Sequence, residues 1–124
     1  MTIVIDDSRR LQSVQQEFSD AFRFLRLEFV ADSRGKLPMV KSATQLVDHN
    51  GKTIGEFRAV HINGALHVVP TMTVSSLKKN LKDTFGLTAQ VFRKSGNVWL
   101  ETSLTDGWTI EQQNAEGEKL SVRA

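Results

Sequence analysis

Apolar residues recur along this chain in two periods. Leu11, Val14, Phe18 and Ala21 or Phe22 stand three and four residues apart, with Arg9, Gln12, Gln16 and Asp20 in between. That spacing puts one oily stripe on a helix whose other side is wet. Val74, Leu77, Leu81 and Phe85 repeat the pattern, and Gly86 stands where a left-handed helix end belongs. Asp6, Asp7 and Ser8 offer cap oxygens to the first helix, which is expected to start near Arg9, and Thr71 or Thr73 to the second. From Phe24 to Val30 the period drops to two: Leu25, Leu27 and Phe29 point one way, Arg26 and Glu28 the other. Residues 2–5, 65–69, 87–94 and 97–100 are β-prone as well.

Glycines punctuate these elements. Asn63-Gly64 lies between two extended runs, 60–62 and 65–67, and both central residues of a type I′ turn need positive φ, so a hairpin is expected there. Ser95-Gly96 predicts a second hairpin, pairing Lys94 with Asn97, Arg93 with Val98, Phe92 with Trp99 and Val91 with Leu100. Residues 53–62 read as extended and 32–38 as a loop around Gly35 and Pro38. Ser42-Ala43-Thr44-Gln45 has the spacing of a capping box, with Gly51 placed to end the short helix it begins. Thr109 with Gln112 predicts a short helix over 109–114, and 119–123 reads as a last strand.

Laying residue n over n + 63 superposes Ile5 on Val68, Leu11 on Val74, Val14 on Leu77, Phe18 on Leu81, Phe22 on Phe85 and Phe29 on Phe92, without a gap. The fold class this predicts is α+β: one domain of two βαβ-type pseudo-repeats, about 1–60 and 61–124, with a ferredoxin-like α/β sandwich as the alternative. Each unit leaves sheet surface that a single helix cannot cover, so the two copies are expected to share a core or to hide each other.

The second half carries Val68-Val69-Pro70 leading into Thr73-Val74-Ser75-Ser76-Leu77-Lys78. It also carries Leu104-Thr105-Asp106-Gly107-Trp108-Thr109-Ile110, and Asn114 followed by Lys119-Leu120-Ser121-Val122-Arg123. In these stretches it resembles a ubiquitin-like β-grasp domain, whose Leu-x-Asp-Gly-x-Thr-Leu segment the second one matches. The chain ends Val122-Arg123-Ala124 without a Gly-Gly tail, so the conjugation chemistry of ubiquitin is not implied. The whole chain resembles small uncharacterised bacterial proteins, which implies no function.

Cysteine is absent from the 124 residues, which removes disulfides, thiol nucleophiles and thiolate metal sites. No run approaches the ~18 apolar residues of a membrane span, and the first seven residues lack a signal peptide's basic and apolar regions. A cytoplasmic protein with no membrane contact is expected. Net charge is +2, unevenly spread: Lys78, Lys79, Lys82, Arg93 and Lys94 oppose only Asp83, and acids alone follow from Glu101 to Glu118. Lys78, Lys79, Lys82 and Arg93 are therefore the candidate basic patch, able to steer a polyanion.

Cross-strand alternation places Ala89, Val91, Val98 and Leu100 on one sheet face, read as core, and Gln90, Phe92, Lys94, Asn97, Trp99 and Glu101 on the other. Phe92, Lys94 and Trp99, with Trp108, form the candidate interaction face. The 63-residue superposition sets Phe92 over Phe29, which belongs to a buried-looking row. The two patterns thus disagree about which face is inside, and a cover by the other half or a second subunit would reconcile them. His61 and His67 point apart on the expected hairpin, so no metal site is read, and His49 lies in the turn composition Asp48-His49-Asn50. Asp6-Asp7 and Asp106-Gly107 read as cap and turn, and Gly51-Lys52-Thr53 lacks the upstream glycine of a phosphate loop. No catalytic constellation and no cofactor site is legible. The expected function is a non-catalytic protein-interaction or assembly module, partnered by another protein or by itself. The alternative is a weak nucleic-acid binder.

Overall fold

The architecture rests on two antiparallel strand pairings between distant parts of the chain, seen in a computed structural model that describes residues 1–30 and 51–121. In chain order the elements are β1 (Thr2–Ile5), α1 (Leu11–Ala21), β2 (Leu25–Phe29), α2 (Ile54–Phe57), β3 (Gly64–His67), α3 (Val74–Phe85), β4 (Ala89–Ser95), β5 (Val98–Glu101), a 3₁₀ turn (Ser103–Thr105) and α4 (Ile110–Ser121). β1 pairs with β3 in a two-stranded ribbon, and β2, β4 and β5 form a second sheet in that order. The fold is α+β. The strands of the described residues divide between two sheets, unlike the single sheet of a ferredoxin-like sandwich. Residues 32–38 and the capping box 42–45 lie outside the described residues.

Each amphipathic stripe buries as its spacing predicts. Leu11, Val14 and Phe18 of α1 and Val74, Leu77, Leu81 and Phe85 of α3 are buried, and they join Ile3, Ile5, Leu25, Leu27, Phe29, Leu66, Ala89 and Val91 in one core. A fully buried side chain of this size contributes ~1.5–3 kcal/mol over its exposed state, so these stripes carry the stability of the helices. Thr73 caps α3 through Ser76 N, and Gly86 closes it at φ +68°. α1 starts at Leu11, two residues after the expected Arg9, with Arg10 as an N-cap whose side chain makes no capping bond. Asp6 is used instead to accept from Ser8 N and Oγ (2.8 and 2.6 Å).

Four expectations are corrected. Asn63-Gly64 makes no hairpin: Gly64 opens β3 opposite Ile5, and its φ is not positive. The strand passes close to α3 there: a Cβ at Gly64 would meet the Phe85 ring at 3.2 Å, a tight contact. Asn63 Oδ1 meanwhile accepts from Asp7 N and Arg58 Nη2. Residues 53–62 are not extended throughout, because Thr53 and Glu56 close a reciprocal capping box that starts α2 (2.9 and 3.2 Å).

The Ser95-Gly96 hairpin exists, but its two turn residues are Gly96 and Asn97. Ser95 pairs with Val98, Lys94 with Trp99, Arg93 with Leu100 and Phe92 with Glu101. Gly96 at φ +61° explains the shift, since the left-handed position belongs at the first turn residue. Finally, residues 119–121 are helical, not a strand. α4 runs on through Gly117, where it crosses so close to β2 that a Cβ would sit 2.8 Å from Phe24 Cβ.

The conflict over faces disappears once the helix lengths are compared. α3 has 12 residues and α1 has 11. Past the helices an overlay that sets buried residue on buried residue therefore takes a step of 64: Leu25 on Ala89, Leu27 on Val91. The ungapped overlay of Phe29 on Phe92 is one residue out of step, and one residue flips a strand's faces.

Candidate functional site

Alternation along β2, β4 and β5 leaves Arg26, Glu28, Gln90, Phe92, Lys94, Trp99 and Glu101 on the face away from the core. Leu25, Leu27, Phe29, Ala89 and Val91 take the core side. Arg26 lies opposite Phe92. The Arg26 guanidinium sits 5.1 Å from the centre of the Trp99 ring, and the Lys94 ammonium 5.9 Å from the same point. Each is within the reach of a cation–π contact. Arg26 also pairs with Glu28 at 2.8 Å. Together Arg26, Glu28, Phe92 and Trp99 line an open hollow of about 160 Å³. Phe92 and Trp99 are half-buried, so the hollow shows aromatic edges flanked by charges of both signs.

Of the sequence-derived interaction face, Phe92, Lys94 and Trp99 come together and Trp108 does not. Trp108 precedes α4 and stacks against Arg93 (5.7 Å), which faces the core side of the sheet. With Gln112, Ala115, Glu116 and Lys119 it lines a separate groove of about 320 Å³. Val98 and Leu100 are not core either. They are 54% and 46% exposed, because β5 is the outermost of the described strands of its sheet.

The candidate basic patch is dispersed. Lys78 Nζ donates to Asp106 Oδ2 and Gln90 Oε1 (2.7 and 3.0 Å). Lys79 pairs with Asp83 at 2.6 Å, and that bond raises its pKa. Arg93 donates to the buried Gln113 (2.9 Å) under α4, and Lys82 is exposed. Three of the four cations are thus held by other side chains. The two that flank an aromatic ring on the open face are Arg26, which sequence reasoning did not single out, and Lys94.

A second cluster was invisible in the sequence. Arg58, with a fully buried side chain, donates to Asp7 Oδ1 through Nε and Nη2 (3.1 and 2.9 Å). It also donates to Asn63 Oδ1 (3.0 Å) and to the carbonyls of Ile62 and Phe85 (both 2.8 Å). Asp7 Oδ2 bonds His61 Nδ1 at 2.9 Å. Burial pushes the Asp7 carboxyl up, but Arg58 and His61 outweigh it and hold the pKa below its ordinary 3.8. This ties the β1–α1 corner to the end of α3. An imidazole oriented by a carboxylate has one half of an acid–base relay, but no serine or threonine hydroxyl is bonded to it among the described residues. The other described histidine, His67, contacts Thr2 Oγ1 instead (3.2 Å), and His49 lies outside the described residues.

Among the described residues no three His, Asp or Glu side chains gather as metal ligands would, and no helix is long and apolar enough to cross a membrane. Compared with family models, with curated proteins and with solved structures, the chain matches none.

Proposed function

We propose that the protein is a non-catalytic interaction module whose working surface is the open face of the β2–β4–β5 sheet. The observation that carries this is the hollow in which Phe92 and Trp99 lie beside Arg26 and Glu28. Aromatic and arginine side chains clustered in a half-desolvated depression are what protein–protein hot spots are made of. The Arg26–Glu28 pair and Lys94 set the orientation of whatever docks there.

The framework that presents this face reads as a doubled strand–helix–strand unit. Ile3 pairs with Leu66, its counterpart 63 residues on, and Leu27 pairs with Val91, its counterpart 64 residues on. A twofold axis relating two such units would cross the antiparallel ladders at these pairs. The N-caps of α1 and α3 each bridge to the N-cap of a later helix: Arg10 to Thr53 and Thr73 to Thr109. The two later segments, Asn50-Gly51-Lys52-Thr53-Ile54 and Asp106-Gly107-Trp108-Thr109-Ile110, share one Asx-Gly-x-Thr-Ile pattern. Duplication is the economical reading. The β-grasp likeness of the second half now rests on α3 and the turn into α4, without that family's first hairpin and last strand.

The test is capture by the purified protein and by Phe92→Ala and Trp99→Ala variants that keep the native circular dichroism spectrum. Proteins retained by the parent and lost from both variants support the reading; identical capture by all three overturns it. A second reading, single-stranded nucleic acid stacked on the same face, is favoured by the two cations over Trp99. It requires oligonucleotide affinity that falls as salt rises, and flat titrations at two salt concentrations exclude it.

A further inference from the structure

The two edges of the three-stranded sheet are finished differently. In the β2–β4 and β4–β5 ladders, Lys94 N donates to Phe24 O and Thr102 N to Val91 O. Ladder alternation then turns the backbone groups of Leu25 and Leu27 out along the β2 edge, and those of Trp99 and Glu101 out along the β5 edge. On β2 these carbonyls are taken: Ser19 Oγ donates to Leu25 O (3.0 Å) and Gln15 Nε2 to Leu27 O (2.8 Å). On β5 no described side chain covers the edge. The strand Val-Trp-Leu-Glu carries no proline, lysine or bulge of the kind that guards an edge strand.

We propose that β5 is where a second copy of this chain adds, antiparallel, about a twofold axis through Leu100 of the two copies. In that register Trp99 lies opposite the partner's Glu101, and Glu101 opposite the partner's Trp99. The outward backbone groups of residues 99 and 101 on both strands pair in four hydrogen bonds. Leu100, 46% exposed in one copy, closes on the partner's Leu100.

Charge selects this register. Among the described residues Lys94 has no ion-pair partner and extends over Trp99, and Glu101 holds only the Ser103 hydroxyl (2.8 Å). Two strand spacings of about 4.8 Å separate Lys94 from the partner's Glu101, a gap the two side chains span across the Trp99 ring. Each unpaired charge in one copy thus meets its opposite in the other, twice per dimer. The result is a six-stranded sheet with two copies of the Arg26/Phe92/Trp99 face side by side. The inference names a partner for the interaction module proposed above, and the two ideas fail separately.

Sedimentation equilibrium over a concentration series tests it. The parent chain is expected to dimerise, and Leu100→Lys, at an exposed position with folding checked by circular dichroism, is expected to be monomeric. Lys94→Glu and Glu101→Lys each weaken the dimer by about tenfold or more through two lost pairs and two new repulsions, and the double reversal restores it. A parent chain that stays monomeric overturns the proposal. So does a dimer indifferent to Leu100→Lys, or a double reversal weaker than both single ones. Phe92→Ala leaves the dimer intact, so loss of a captured protein with that variant speaks only to the face.

Discussion

Arg58 holds a single carboxylate oxygen of Asp7 with two hydrogen bonds, at 3.1 and 2.9 Å, across 51 residues of chain. Its remaining donors reach Asn63 and the carbonyls of Ile62 and Phe85, so one guanidinium joins the β1–α1 corner, the approach to β3 and the end of α3. Lysine offers one nitrogen and cannot reproduce this fork. Arg58→Met is expected to cost about 3 kcal/mol, the usual result of removing one member of a buried charged network. Arg58→Lys should recover less than half of that in urea unfolding. A loss below ~1 kcal/mol for Arg58→Met would show that the network is idle.

The same network sets the response to acid. Asp7 is held below its ordinary 3.8 by Arg58 and His61 against the upward push of burial. Asp6 is held below it by the Ser8 hydroxyl and backbone N–H, and Glu56 below its ordinary 4.5 by the Thr53 N–H. A carboxyl that binds its proton more weakly folded than unfolded stabilises fully above the unfolded value, and that stability is lost as pH falls through the folded one. Unfolding free energy should therefore be flat from neutrality down to about pH 5 and drop below pH 4. Asp7→Asn should flatten the drop while lowering the neutral plateau.

Local rules located the amphipathic helices, the alternating strand β2 and the Thr73 and Gly86 caps, because each depends on neighbours within four residues. They failed where a distant group decided the outcome. Asn63-Gly64 is a strong turn signal, yet β1 supplies the strand that Leu66 needs and Phe85 fills the space above Gly64. The clustering of Arg58, Asp7 and His61 gave no signal, since nothing local links them. The likeness between the two halves extends past residue 30 in the sequence. The pattern shared by 50–54 and 106–110 is explicit, but its spacing of 56 instead of 63 hides it from a single fixed offset. Arg26 escaped notice because a charge on the wet side of a strand has an ordinary explanation until Trp99 is found beside it.

Gly117 separates helix propensity from packing. Alanine is better by about 1 kcal/mol within a helix. At this position, however, its Cβ would lie 2.8 Å from Phe24 Cβ and 3.1 Å from both Phe24 O and Arg93 Cγ. The contacts are partly backbone, so α4 must lift off the sheet and strain Gln113, which bonds Arg93 and Thr105 O (2.9 and 2.7 Å). Gly117→Ala is expected to lower stability by about 1–3 kcal/mol. A higher midpoint in thermal unfolding would contradict the close crossing.

The guarded edge of β2 makes the opposite case to β5. Gln15 and Ser19 point from α1 at the Leu27 and Leu25 carbonyls, which would otherwise be open acceptors on an edge strand. Gln15→Ala should cost about 1 kcal/mol for the lost bond, a modest effect on folding. Its larger consequence concerns association: with both edges open, copies would add at either side of the sheet, and the pair proposed through β5 would give way to an open chain. Light scattering of the Gln15→Ala/Ser19→Ala double variant should show species larger than a dimer, and adding Leu100→Lys should return it to dimers or smaller. If the double variant scatters like the parent, side-chain capping is not what keeps copies from adding at the β2 edge.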